Sequence, residues 1–254
     1  MALRIYTLGR FALVKDEKPV RFSRKAPQKP LIMLKVLIAL GGRRVREYQI
    51  SDVLWPDADG DIAHTSFATT LHRLRKLIGH HATVELRDGC MTLDQRYCWV
   101  DVWAFERIFG QADAMWRKAS PEIDITKAIE LTQKAINIYH GPFLPDENGE
   151  IWTISLREHL GEKFMRCVNK LGHHWEMSGQ YEKAVECYRR GLEVDDLAEE
   201  FYRRIMACYH RLGQLAEALS VYNRGRKILF ATLGIEPSPK TEAIRKSILS
   251  EKKS

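Results

Sequence analysis

The stretch Asp61-Ile-Ala-His-Thr-Ser-Phe-Ala-Thr-Thr-Leu-His-Arg-Leu-Arg-Lys-Leu-Ile78, followed after Gly79 by Val84-Glu-Leu-Arg-Asp-Gly-Cys-Met-Thr-Leu93, decides how this chain is read. In its first half Phe67, Leu71, Leu74 and Ile78 recur at i, i+4, i+7 and i+11, the period of a helix with one apolar stripe. The opposite face gathers Thr65, Thr69, His72, Arg73 and Lys76, with no carboxylate among them, and such a face suits a polyanion. The second half is two short alternating runs joined by Asp88-Gly89, a pair that tolerates the positive φ of a two-residue hairpin loop. Arg87 stands at the tip.

Working outward, Leu3 to Phe22 alternates apolar and polar residues around Gly9 and Asp16-Glu-Lys-Pro19, which predicts two or three short strands. Arg24-Lys25-Ala-Pro-Gln-Lys-Pro30 enters a helix over about Gln28 to Leu40, stopped by Gly41-Gly42. Tyr48 to Trp55 predicts a short second helix, and Trp55-Pro-Asp-Ala-Asp-Gly60 links it to the third. Strands, three helices and a hairpin make a winged helix-turn-helix. Asp59 or Asp61 is expected to cap the third helix, and Trp55 to seal the small core.

From Asp101 onward the periodicity reads as helical only, and it repeats. Leu171, Trp175, Gly179, Ala184, Tyr188 and Gly191 align with Ile205, Tyr209, Gly213, Ala218, Tyr222 and Gly225, each pair separated by 34 residues. Bulky residues on one helix facing small ones on the next, with Gly at the turn, is the tetratricopeptide pattern. A weaker copy begins at Ala128, with Ala135 in the small position and Asp101 to Trp116 as its first helix. A helix from about Lys240 to Leu249, after Pro237-Ser-Pro239, is expected to cap the stack. The fold class is therefore mostly α: an α+β winged domain over residues 1–95, then an all-α tetratricopeptide-like domain over 101–250.

Charge agrees with this division. Residues 1–95 hold 16 Lys and Arg against 10 Asp and Glu, whereas residues 96–254 hold 24 against 23. The excess that attracts phosphate is concentrated in the first third. Five cysteines without a Cys-x-x-Cys argue against a disulfide framework and for a reducing, cytoplasmic compartment. No stretch approaches the roughly 20 apolar residues of a membrane helix. His80-His81 and His173-His174 are adjacent pairs and His64 and His72 are eight apart, so no metal site with its usual helical spacing is read. Neither a nucleophile elbow nor a dinucleotide or phosphate-loop fingerprint occurs, and no enzyme and no cofactor is expected.

Taken together, Leu8-Gly-Arg-Phe11, Leu54-Trp-Pro56, Leu71-His-Arg-Leu-Arg-Lys-Leu77, Val100-Asp-Val-Trp-Ala-Phe105, Glu199-Glu-Phe-Tyr-Arg-Arg204 and Leu233-Gly-Ile-Glu-Pro-Ser238 resemble the Streptomyces antibiotic regulatory protein family. Its members join an OmpR-like winged helix to a bacterial transcriptional activation domain. Asp195-Asp196 departs from the family's usual Asp-Pro. The resemblance implies a transcription activator that binds double-stranded DNA at direct repeats as a side-by-side homodimer. It also implies contact with RNA polymerase, for which Trp55 and Asp57 are candidates.

On this reading Arg73 and Lys76 reach guanine edges or phosphate, Thr65 and Thr69 a thymine methyl or phosphate, and His72 donates among them. Arg87 enters the minor groove or holds its phosphates, and Arg24, Lys25 and Lys29 contact phosphate at the entry to the first helix. The plain alternatives stand beside these: a solvated helix face, an idle turn residue, and aromatic residues of the repeats that serve packing alone. Two other functions stay open, a regulator gated by a small-molecule or nucleotide effector bound to the repeats, and an interaction scaffold with a vestigial winged helix.

Overall fold

A computed structural model of the 254-residue chain describes residues 3–20, 28–118 and 124–251. In the first of its two compact units, strands β1 (Leu3–Tyr6), β2 (Ala12–Lys15) and β3 (Lys18–Pro19) form an antiparallel meander. Helix α1 (Gln28–Ala39) follows, then the two-residue strand β4 (Val45–Arg46), α2 (Glu47–Leu54) and α3 (Gly60–Ile78). The wing is β5 (Val84–Arg87) and β6 (Cys90–Leu93), joined through Asp88 and Gly89 at φ 51° and 67°. Both central residues of the loop are left-handed, as the Asp-Gly pair allows. β4 adds to the other edge of β6, making a three-stranded wing.

Apolar periodicity explains the packing. Phe67, Leu71, Leu74 and Ile78 of α3 are all buried, as are Met33, Leu34 and Leu37 of α1 and Val84 and Met91 of the wing. Each such side chain contributes about 1.5–3 kcal/mol of burial. The end of α3 is set by Gly79, at φ 80°, whose N–H reaches the Arg75 carbonyl at 2.9 Å.

β7 (Cys98–Val100) lies parallel to β1 and runs directly into α4 (Asp101–Lys118). After α5 (Asp124–Ile138), the irregular segment from Tyr139 to Glu150 returns to the first sheet: Leu8 bridges Phe143, and the Gly9 N–H donates to the Pro142 carbonyl at 2.9 Å. The approach is tight. A Cβ on Gly9, whose φ is 79°, would sit 2.7 Å from the His140 carbonyl oxygen.

The compact units are Met1–Glu106 with Ile138–His159, and Arg107–Asn137 with Leu160–Ser254. This differs from a linear division at residues 95–101, because Tyr139, Phe143 and Leu144 are buried beside β1 and the Phe105 ring. Among the described residues beyond Asp101 the elements are helices alone, as read, with one isolated bridge from Phe143 to Leu8.

In the second unit α6 (Ile151–Met177, from Leu160 on), α7 (Tyr181–Leu192), α8 (Glu199–Arg211), α9 (Leu215–Leu233) and α10 (Pro239–Glu251) carry the repeat. Gly179 and Gly213 take φ 70° and 72° at equivalent turns, and Ala184 and Ala218 are fully buried. A Cβ on Gly191 would lie 2.2 Å from the Phe201 ring, and one on Gly225 2.9 Å from the Tyr202 ring, so the repeated glycines are packing positions.

Candidate nucleic-acid interface

The buried stripe of α3 turns Thr65, Thr69, His72, Arg73 and Lys76 outward, and all five are exposed. Asp61, also exposed, shares that face one turn earlier, and its carbonyl accepts the Thr65 hydroxyl at 3.0 Å. The carboxylate at the first turn moves the cationic part of the face to Thr69–Lys76. Arg75 faces the other way, donating through Nε to the Val84 carbonyl at 2.9 Å and pinning α3 to the wing. In the run Arg73-Leu-Arg-Lys76 the helical period leaves Arg75 off the outward face, and the structure supplies its partner.

Arg87 extends from the wing with its side chain 79% exposed, and its nearest carboxylate, Asp88, is 3.8 Å from its Nε. A second arginine stands in register with it. Arg46 of β4 and Arg87 of β5 both pair with Cys90 of β6, so the two guanidinium groups leave the same face of the wing sheet. Arg44 reaches a left-handed φ of 51° in the preceding turn, where its N–H donates to the Thr92 hydroxyl at 3.0 Å. The cluster Arg43-Arg-Val-Arg46 after Gly41-Gly42 was the available signal, and the sequence reading passed over it.

Glu47 joins these parts. Its N–H donates to the Gly89 carbonyl at 2.9 Å and its carboxylate lies 2.6 Å from His64 Nδ1, so the wing tip, α2 and the start of α3 are held together. Beneath them is an open cleft of about 410 Å³ lined by Arg46, Tyr48, Ser51, Trp55, His64 and Asp88.

Two expected roles change. Lys29 gives its ammonium to the Leu54 carbonyl at 2.9 Å and lies 4.9 Å from the centre of the Trp55 ring. It closes the C-terminal end of α2, a favourable place for a cation, while the residue stays exposed. Arg24 and Lys25 lie outside the described residues. Asp59 is the N-cap residue of α3 but makes no side-chain cap bond; its carbonyl accepts the Ala63 N–H instead. Trp55 is half-buried at the edge of α2 and Asp57 is exposed.

The family model of the bacterial transcriptional activator domain matches residues 100–249. The chain belongs to this family. The regulatory protein AfsR of Streptomyces griseus is 25% identical over 218 residues, which cover 85% of this chain and 22% of that protein. AfsR of Streptomyces coelicolor is 24% identical over 98% of this chain and 24% of its own length. The transcriptional regulator RedD of Streptomyces coelicolor is 24% identical over 77% of this chain and 57% of its own length. The chain thus spans about a quarter of either AfsR protein and just over half of RedD. The resemblance to Streptomyces antibiotic regulatory proteins holds across both units. A solved structure of EmbR from Mycobacterium tuberculosis shares the fold, with a TM-score of 0.69 and 19% identity over 98% of this chain and 65% of that one.

Among the described residues, no helix of this family member is long and apolar enough to cross a membrane.

Proposed function

We propose that the chain is a sequence-specific transcription activator of the cytoplasm whose first unit reads duplex DNA, α3 entering the major groove and the wing holding the adjacent minor groove. The observation that carries this is the exposed face of Thr69, His72, Arg73 and Lys76 on α3, flanked by a wing that presents Arg46 and Arg87 from one face. An α-helix fits the major groove, and bidentate Arg to guanine is the commonest specific contact there. Arg46 and Arg87 position the protein on phosphate and groove edge without themselves specifying sequence. The names of the AfsR and RedD relatives as regulators support this reading.

Two copies bind side by side on direct repeats, with half-sites about 10–11 bp apart or a multiple of that. The connection between α2 and α3, with Trp55 over the cleft and Asp57 exposed, is the surface offered to RNA polymerase.

Selection of the full chain against a randomised duplex pool tests this, with the Arg73→Ala, Lys76→Ala double variant alongside. A direct-repeat motif that the variant cannot select is the expected result. Arg73→Ala alone should cost about 1–3 kcal/mol on the recovered site and relax one base position, whereas Arg87→Ala should weaken all sequences alike and flatten the salt dependence. Failure to enrich any sequence at moderate salt would return the chain to the scaffold reading.

A further inference from the structure

Among the residues not assigned to DNA, the second unit holds a cluster in which cations outnumber the carboxylate they surround. Asp113 of α4 has a side chain only 5% exposed, and three cations converge on it. Arg166 Nη2 and Lys170 Nζ, both from α6, share its Oδ1 at 3.0 and 2.7 Å, and Arg117 of α4 holds Oδ2. Burial works to raise this carboxyl, but the bonds from Lys170 and Arg117 and the nearby charges outweigh it and hold the carboxyl below its ordinary range. One carboxylate therefore faces three cations, and it is the only anionic partner they have among the described residues.

The Asp113 carboxylate takes three donors from these groups, and each guanidinium and the ammonium keep donors to spare. Three cations around one carboxylate leave a net positive charge that attracts a further anion. The side chains remain open to solvent, Arg117 at 72%, Arg166 at 53% and Lys170 at 34% exposure. Each arginine gives Asp113 only part of its five-donor fork. Beside them the Phe109 ring carries Arg166 at 5.3 Å and Lys163 at 5.8 Å from its centre, an apolar wall with a cationic rim.

The arrangement also says what kind of anion fits. Duplex DNA offers charge along a line, one per about 1.7 Å of axis, and suits basic groups strung along an element. Here the cations converge on one point, as arginine clusters do around a single doubly charged group.

We propose that Arg117, Arg166 and Lys170, preorganised by Asp113, form a binding site for a phosphate monoester, carried by a small nucleotide or by a phosphorylated side chain.

The test is calorimetric titration of the full chain with inorganic phosphate, against chloride at equal ionic strength. Saturable binding at one site is expected. Arg117→Gln, a substitution at an exposed guanidinium that leaves folding intact, should weaken it about tenfold. Asp113→Asn should tighten it, because the internal competitor loses its charge; a merely structural cluster would give the opposite sign or none. Adenosine 5′-monophosphate and a phosphoserine peptide, with the unmodified serine peptide as control, identify the source by which of them binds more tightly than inorganic phosphate. Retention in the Arg73→Ala, Lys76→Ala double variant separates this site from the DNA-reading face, so either proposal can fail alone. Absence of saturable binding overturns the inference. So does binding that ignores Arg117→Gln, equal affinity for the serine and phosphoserine peptides, or no gain from either esterified probe.

Discussion

Asp101 is 1% exposed, and all the donors its carboxylate needs are backbone or hydroxyl groups of the same unit. Oδ2 accepts the N–H groups of Thr7 at 2.6 Å and Leu8 at 2.8 Å; Oδ1 accepts the Thr7 hydroxyl at 2.6 Å and the Val102 N–H at 2.8 Å. Burial pushes this carboxyl up, and the bonds from Thr7, Leu8 and Val102 pull against that without cancelling it. The aspartate of the Val100-Asp-Val-Trp-Ala-Phe105 motif thus fastens the end of β1 to the start of α4. Asp101→Asn keeps the volume but sets an amide N–H₂ against at least one backbone N–H that cannot turn away. A loss of about 1–3 kcal/mol is expected, since a buried donor is left unpaired. Chemical denaturation of the full chain measures it, and an unchanged midpoint of the first unit's transition would mean that these bonds are dispensable.

At the scale of elements, two motifs that the sequence offers separately meet in space. Glu199, the first residue of α8, accepts the Ser238 N–H at 2.7 Å and the Thr241 hydroxyl at 2.6 Å through one oxygen, and so caps α10 from another helix. Ile248 of α10, fully buried with Met206 and Tyr222, depends on that docking. Burial acts to raise the Glu199 carboxyl, but the bonds from Thr241 and Ser238 hold it below its ordinary value of 4.5. A carboxyl depressed in the folded state stabilises above its unfolded pKa, and that contribution drains away as pH falls through the folded one. Amide protection in α10 should therefore drop below about pH 4.5 before that of α7. In Glu199→Gln, where an uncharged oxygen still accepts, the acid step should vanish at the cost of slightly lower protection at neutral pH; persistence of the step would assign it to another carboxyl.

Elements of this length were legible because local rules define them. The helices follow apolar periodicity, the wing follows Asp88-Gly89, and the repeat follows glycines and alanines 34 residues apart. What escaped were strands of two or three residues, β4 and β7, too short for a period, and interactions between residues distant in sequence. Lys29 reads like any surface cation until the Leu54 carbonyl is seen beside it, and no local signal gives Arg75 its partner, the Val84 carbonyl. The wing row of Arg46 and Arg87 needed the register of β4 on β6.

For the whole molecule, the question is which unit the residues after α5 stabilise. Phe143 is fully buried, Leu8 bridges it, and the Leu144 N–H donates to the Thr7 carbonyl at 2.8 Å. Arg157 donates to the carbonyls of Phe143 and Leu144 at 3.0 and 2.8 Å and fixes the segment from its far side. Lys35 of α1, its ammonium 4.6 Å from the Phe11 ring, pairs with Glu147 as well. By these contacts the proposed DNA-binding unit includes a piece contributed from the middle of the chain, and a fragment ending near residue 95 would lack it. Phe143→Ala should cost about 3–5 kcal/mol, as large-to-small changes at buried aromatics do. Hydrogen exchange of the full chain locates the loss: amides of β1 and β2 should lose protection while those of α7, α8 and α9 keep theirs. The reverse pattern would return Phe143 to the helical repeat and restore a linear boundary ahead of Asp101.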